Sequence, residues 1–372
     1  MKAVMCPNCG VPMKRNGKTT AGTQRWRCKA CGLSRTVSYD NTPARLQEFL
    51  SWLLSKETQL SMPGEGRSFR RRTAEFWQVW PMPTPTGELH RVLYVDGIWL
   101  ARDLVVLIAH DGCYVISWYM AEAETSRAWR ALIEPIPAPD MVVCDGGSGF
   151  AKAVRSAWPR TRVQRCLFHV FSQVRRYTTS RPKLQAGREL YALAIDLMHL
   201  ETLHEANWWV ERYLSWCEFW SDFLEEKSYI DGRRVFTHER LRKARSSVSR
   251  LLSQDTLFTY LDPTLTKEGP LPKTNNPIEG GVNALLRDML RNHRGMSLMR
   301  RVKAVFWWCY LHTECPLPAK DILSSMPTDA DIDFLYKTYS VQPKRDDGGP
   351  EWGDRVVWEE LHHKDPYPFW LD

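Results

Sequence analysis

Two aspartates interrupt runs that otherwise read as buried β-strands. Val92-Leu-Tyr-Val-Asp96-Gly-Ile-Trp-Leu100 and Met141-Val-Val-Cys-Asp145-Gly-Gly-Ser148 are rich in apolar and β-branched residues around the acid. A carboxylate left unpaired in such a strand costs on the order of several kcal/mol, so each is expected to be hydrogen-bonded, charge-paired or bound to a metal. Each also precedes a glycine, whose missing side chain lets a ligand approach the backbone. A fold for this chain therefore has to give both strands, and both acids, a shared and partnered place.

A third acid lies in Thr274-Asn-Asn-Pro-Ile-Glu279-Gly-Gly-Val-Asn283, at the head of a basic helix. Asp96, Asp145 and Glu279 together are the hard oxygen ligands that two catalytic Mg²⁺ ions require for in-line phosphoryl displacement. Glu279, Asn283, Arg287 and Arg291 recur every four residues, which predicts one helical flank, with His293 and Arg294 close by. Amide and guanidinium donors beside a metal ligand suit contact with phosphate, so Asn283, Arg287, Arg291 and Arg294 are candidate DNA-binding residues.

The order of elements predicts how the acids meet. Residues 92–100, 104–111 and 113–121 read as an antiparallel meander, 126–136 as a helix, 141–144 as a strand, 151–158 as a helix and 162–168 as a strand. That is the order of an RNase H-like mixed sheet, in which the first and fourth strands are neighbours. Residues 170–270 carry almost no strand signal and predict an all-helical insertion before Glu279.

Ahead of this core, Cys6-Pro-Asn-Cys9 and Cys28-Lys-Ala-Cys31 are separated by 18 residues, the spacing of a structural zinc site. Four thiolates close a tetrahedral Zn²⁺ site with no open position, so one zinc here folds a ribbon and catalyses nothing. Arg25, Arg27 and Lys29, beside Trp26, give that ribbon a nucleic-acid-binding character. Leu46, Phe49, Leu50, Leu53 and Leu54 recur at helical spacing, and a second helix is predicted from Ser68 as cap, with Arg70, Arg71 and Arg72 on its first turn. The pair has the layout of a helix-turn-helix reader. The expected organisation is a multidomain α/β chain: zinc ribbon 1–40, helix-turn-helix 41–80, Pro-rich linker 81–91, core 92–170, helical insertion 171–270, the rest of the core with the Glu helix 271–316, and an acidic extension of open role at 317–372.

Charge supports this division. The net +8 resides in residues 1–90, with 14 Lys and Arg against 6 Asp and Glu, whereas residues 317–372 hold 6 basic and 12 acidic side chains. The N-terminal quarter is thus the part suited to meet a polyanion. No stretch is long and apolar enough to span a membrane, and the start is too short for a signal peptide, so a cytoplasmic location without a membrane partner is expected. A nucleotide cofactor is not expected, because no phosphate-binding G-x₄-GK[ST] loop is present. No His has Arg three positions on, contrary to what a tyrosine recombinase needs.

These residues resemble a known family. The Asp96 strand, the turn Cys144-Asp-Gly146, Arg165-Cys166-Leu-Phe-His169 and Thr274-Asn-Asn-Pro-Ile-Glu279 with Asn283 and Arg287 are similar to Mutator-type bacterial insertion-sequence transposases of the DDE class, in the actinobacterial branch with an N-terminal zinc ribbon. The likeness covers roughly residues 90–312. It implies Mg²⁺-dependent nicking at element ends, attack by the freed 3′-OH, terminal inverted repeats and target DNA as double-stranded partners, a homodimer or larger assembly on DNA, and association with the bacterial nucleoid. The family's Cys-x₂-His element falls on Cys166 and His169, for which a packing or DNA-positioning role is expected ahead of metal binding. Two rivals use the same residues: an RNase H-like nuclease that only hydrolyses, such as a junction resolvase, and a non-catalytic DNA-binding protein descended from a transposase.

Overall fold

The computed structural model describes residues 3–36, 40–341 and 353–354. Strands β1 (Lys14–Lys18), β2 (Gln24–Arg27) and β3 (Ser34–Thr36) form a small antiparallel sheet at the N-terminus. Its apolar centre is only Cys6, Met13 and Cys28, with Val4 and Trp26 packed against them. So little buried surface cannot hold a fold by itself.

Helices α1 (Thr42–Leu54) and α2 (Glu65–Thr73) follow. The apolar face of α1 buries Leu46, Phe49, Leu50, Trp52 and Leu53. Phe49 lies 4.9 Å from the Trp77 ring and 6.2 Å from Trp307, so the helix pair shares its core with the remainder of the chain. The second helix corrects the sequence reading. It starts after Gly64, whose φ of 77° marks the entry, and not at Ser68, so Arg70, Arg71 and Arg72 ride its last turn. Arg72 is a strut there, 2.7 Å from Glu48 and bonded to the Pro63 carbonyl, and Arg70 donates to Gln59 at 3.1 Å.

The central sheet holds β4 (Val92–Ala101), β5 (Leu104–His110), β6 (Val115–Ala121), β7 (Met141–Cys144) and β8 (Arg162–Arg165) in the order β6-β5-β4-β7-β8. The first three are antiparallel; β4, β7 and β8 are parallel. Val92, Leu93 and Tyr94 pair with Met141, Val142 and Val143, which puts Asp96 and Asp145 at the same end of adjacent strands. The short strand Gly353–Asp354 lies parallel to the outer edge of β6.

Both faces of the sheet are covered. Leu93, Val95, Val105 and Leu107 pack against α3 (Ser126–Ile133) and α4 (Ser148–Ala157). Tyr94, Ile98, Val106 and Ile108 face a larger core built from helices on the other side. β5 is buried at every position, which is why it reads as a continuous apolar run without alternation.

After β8 the chain forms α5 (Leu167–Thr178), α6 (Gln185–Leu197), α7 (Leu203–Phe219), α8 (Ser221–Glu225), a hairpin of β9 (Lys227–Ile230) and β10 (Arg233–Phe236), and α9 (Glu239–Ser253). The insertion is therefore not all-helical. Asp231 and Gly232 both take positive φ, 51° and 72°, the Asp-Gly turn that favours a tight hairpin. The strand expected at 162–168 likewise ends at Arg165, and Cys166 is already the cap of α5.

The chain then returns to the sheet through a π-helical segment, Pro277–Asn283, continued by α10 (Ala284–Asn292) and α11 (Leu298–Leu311). Most of α11 is buried against β6, β4 and α1. Helices α12 (Ala319–Ser325) and α13 (Asp329–Val341) close the structure. Asp329 accepts from Trp80 Nε1 at 2.8 Å and from the buried Lys303 at 2.5 Å, so the start of the C-terminal extension is part of the core. Among the described residues no helix is long and apolar enough to cross a membrane.

Candidate active site

Asp96 is held on both oxygens. Gly97 N–H donates to its Oδ1 at 2.9 Å, and Asn283 Nδ2 donates to its Oδ2 at 2.7 Å across a gap of 187 residues. Burial pushes the Asp96 carboxyl up to about 7, and the charges of Asp145, Glu279 and Glu124 push the same way. Three acids from distant segments, plus a fourth, thus share one electrostatic neighbourhood. A cavity of about 580 Å³ opens over Asp96, Gly97, His169, Asn276, Glu279 and Arg287.

The Asn-Asn-Pro-Ile-Glu segment is stapled in place by its own residues. Asn275 is fully buried; its backbone N–H donates to Cys166 Sγ at 3.2 Å and its side chain donates to the Val95 carbonyl at 3.0 Å, one residue before Asp96. The π-helical turn then alters the spacing. Glu279 faces His169 while Asn283 turns inward, fully buried, onto Asp96. The predicted single flank of Glu279, Asn283, Arg287 and Arg291 is broken between Glu279 and Asn283 for this reason. Asn283 orients an acid and is closed to DNA, Arg287 reaches the cavity, and Arg291, largely exposed beside Asp288 at 2.9 Å, borders a neighbouring space.

Cys166 and His169 join Glu279. His169 Nδ1 lies 3.1 Å from Glu279 Oε1, a close charge contact without the alignment of a hydrogen bond. The adjacent Cys166 sulfur, then the Glu279 carboxylate, push the imidazole up to about 10. Among the described residues two groups bring three or more ligand atoms within 4.8 Å of one another: Cys166 with His169 and Glu279, and Cys6 with Cys9, Cys28 and Cys31. In the latter, Cys6 Sγ is 3.5 Å from Cys31 and Cys9 Sγ 3.4 Å from Cys28, so four sulfurs converge and could bind zinc. The oxygens of Asp96, Asp145 and Glu279 are not drawn together so tightly. Arg25, Arg27 and Lys29 are exposed on and just after β2, and Arg294 is exposed beyond α10.

Sequence reasoning passed over two neighbours. Glu124 stands just before the cap of α3, with Trp99 Nε1 donating to it at 3.0 Å; burial, then Asp145, raise its carboxyl. An acid beside a helix start is ordinary in sequence, and only the pairing of strands carries it to Gly97. Arg165 lies under the Asp145 turn, where a Cβ on Gly146 would fall 1.6 Å from its guanidinium, so glycine is required at that position, with φ of 88°. Six buried atoms here have no hydrogen-bond partner: Nε and Nη1 of Arg165, Nδ1 of His169, Oε1 of Glu279, and Oδ1 of Asn275 and Asn283. Unsatisfied polar atoms gathered in one place, under several carboxylates, mark a site built to receive polar or charged groups.

The sheet and this acid cluster define an α/β protein, its sheet covered by helices on both faces, with a candidate site for charged ligands at the ends of β4 and β7. Residues 104–227 match the family model described as Transposase, Mutator family, one third of the chain. The matched segment contains Glu124, Asp145, Arg165, Cys166 and His169, with Asp96 just before it and Glu279 beyond it. The match supports a transposase of the Mutator type. No curated protein matches the chain.

Proposed function

We propose that the chain is a DDE transposase with an RNase H-like core, which binds the ends of its element and carries out Mg²⁺-dependent strand cleavage and joining. The observation that supports this reading most is the Asp96 carboxyl, raised to about 7 by burial and by Asp145, Glu279 and Glu124. Acids that repel one another across a cavity fit hard divalent cations, and the buried Oε1 of Glu279, which accepts no hydrogen bond, has lone-pair capacity left for one. Asp96, Asp145 and Glu279 would hold the ions, which supply an activated water or 3′-OH and stabilise the leaving oxygen. Asn283 fixes the rotamer of Asp96. His169, charged at neutral pH, holds Glu279 in place, while Arg287 offers a donor to phosphate. Double-stranded DNA is the partner, with the basic ribbon and Arg71 as further contacts, and two or more chains assemble on it.

Asp96→Asn, Asp145→Asn and Glu279→Gln keep side-chain volume and remove the charge. Each should abolish Mg²⁺-dependent cleavage and joining of DNA ends while leaving end binding within about twofold, and double variants should be no worse than single ones. Cleavage by Glu279→Gln together with an inactive Glu124→Gln would move the third acid to Glu124. Cleavage at the parent's rate by all the single variants would remove the enzymatic reading.

A further inference from the structure

Strand β4 runs past a second cavity. Beyond Asp96 and Gly97 in the acid cleft, Ile98 and Trp99 border a space of about 420 Å³ that also meets Arg287, Arg291, Arg294 and Arg301. Arg287 opens onto both cavities, so they adjoin. Among the described residues Arg287, Arg294 and Arg301 have no ion-pair partner, while Arg291 has Asp288. Three guanidinium groups gathered without an ion-pair partner repel one another until an anion enters, and planar forks of this kind match phosphate.

Trp99 gives the cavity a second recognition element. It is 47% exposed, large and apolar on a strand whose neighbours Ile98 and Leu100 are buried. Its indole N–H is committed to Glu124, which fixes the ring and leaves its faces for stacking. Met296 and Leu290 add an apolar wall beside it. An aromatic face with several arginines is the combination that holds a single-stranded nucleotide, base on the ring and phosphate on the cations. Intact duplex does not fit, because its bases are stacked within the helix and only an unpaired base can lie against the indole.

We infer that this cavity binds one unstacked nucleobase and its phosphate, from the strand whose phosphodiester lies at Asp96. Asp96 and Trp99 are three residues apart along β4, about 10 Å, and their side chains leave the strand on opposite faces, so a strand held at Asp96 would have to pass the margin of β4, where Arg287 meets both cavities, to lay a nearby nucleotide on the indole. Extrusion of that nucleotide bends the strand away from the duplex and exposes the phosphodiester to the acids. The inference rests on the cleavage reading for its purpose, though binding of the base stands by itself.

The test uses the full chain in chelator, so that no cleavage is required. A hexathymidylate carrying one 5-iododeoxyuridine is irradiated with the protein, and the cross-linked peptides are sequenced. The expected adduct is on Trp99, within residues 92–102. In anisotropy titrations of labelled hexathymidylate, Trp99→Ala should weaken binding roughly 5- to 100-fold, the loss of one stacked base, while Trp99→Phe should stay within about threefold of the parent. A hexamer of abasic sugar phosphates should bind the parent and Trp99→Ala alike. Arg301→Ala should flatten the salt dependence by about 0.7 in logarithmic slope, one phosphate contact on a single strand. Adducts found only outside residues 92–102, or unchanged affinity of Trp99→Ala, overturns the pocket. A Trp99 adduct in a chain that fails to cleave DNA ends would keep the pocket and sink the transposase reading.

Discussion

At the scale of single residues, Asp96 carries a cost that the fold accepts. Its carboxyl rises from 3.8 to about 7, so between those values the folded chain holds a proton that the unfolded chain has released. Stability therefore falls as pH rises through that window, by up to about 4 kcal/mol at about 1.4 kcal/mol per unit of displacement. Asp96→Asn removes the titration but loses one acceptor, worth about 1 kcal/mol. In chelator the variant should exceed the parent by about 2–3 kcal/mol near pH 8 and fall slightly below it near pH 4, measured by denaturant unfolding. Lower stability than the parent at both pH values would show that burial and the neighbouring acids do not raise the Asp96 carboxyl. His169 acts in the same sense over a higher window: its contribution is complete below its ordinary 6.5 and is lost as pH rises through about 10.

At the scale of elements, the ribbon β1–β3 and the π-helical turn each depend on something beyond their own strands and helices. The ribbon buries Cys6, Met13 and Cys28 and little else, so a metal held by its four cysteines would supply the stability its core lacks. Purified, reduced chain should contain one Zn²⁺, and chelation should abolish hydrogen-exchange protection in residues 3–36 while residues 92–165 keep theirs. Two zinc ions per chain would assign a second to Cys166, His169 and Glu279. The π-helical turn works differently, by setting Glu279 and Asn283 on separate sides so that one faces His169 and the other Asp96. Arg72 shows the same dependence in α2: a basic residue that sequence assigns to DNA is committed to Glu48 and Pro63.

At the scale of the whole molecule, the two ends of the described chain are joined through one buried pair. Lys303 on α11 is fully buried and bonds the carbonyl of Trp77 and the carboxylate of Asp329, tying the helix pair and the C-terminal helices to the same point. Burial lowers the Lys303 ammonium to about 8, against the pull of Asp329. Removing one partner strands a buried charge, so Asp329→Ala should cost about 3–5 kcal/mol in denaturant unfolding, and Lys303→Met with Asp329→Leu should recover most of it. A loss below about 1 kcal/mol for Asp329→Ala would show that water reaches Lys303. The same joint means that the helix pair does not hang on a free linker: Trp80 N–H bonds the Pro327 carbonyl at 2.8 Å, and Trp118 Nε1 bonds Pro81.

Sequence by itself determined the strands around Asp96 and Asp145, because alternation and β-branched runs are local, and it determined the four-cysteine spacing, because a metal site needs fixed ligands at fixed intervals. It also singled out the Asn-Asn-Pro-Ile-Glu279 segment, though not what the two asparagines and the following Asn283 do there. The Asp231-Gly232 hairpin was legible in principle and was masked by its helical surroundings. Only the tertiary structure decided that Glu124 and Arg165 belong to the site, that Asn283 serves Asp96, and that Trp99 faces arginines from another element. Each of these depends on which segments lie side by side, 187 residues apart for Asn283 and Asp96, and long-range pairing leaves no periodic trace in either partner.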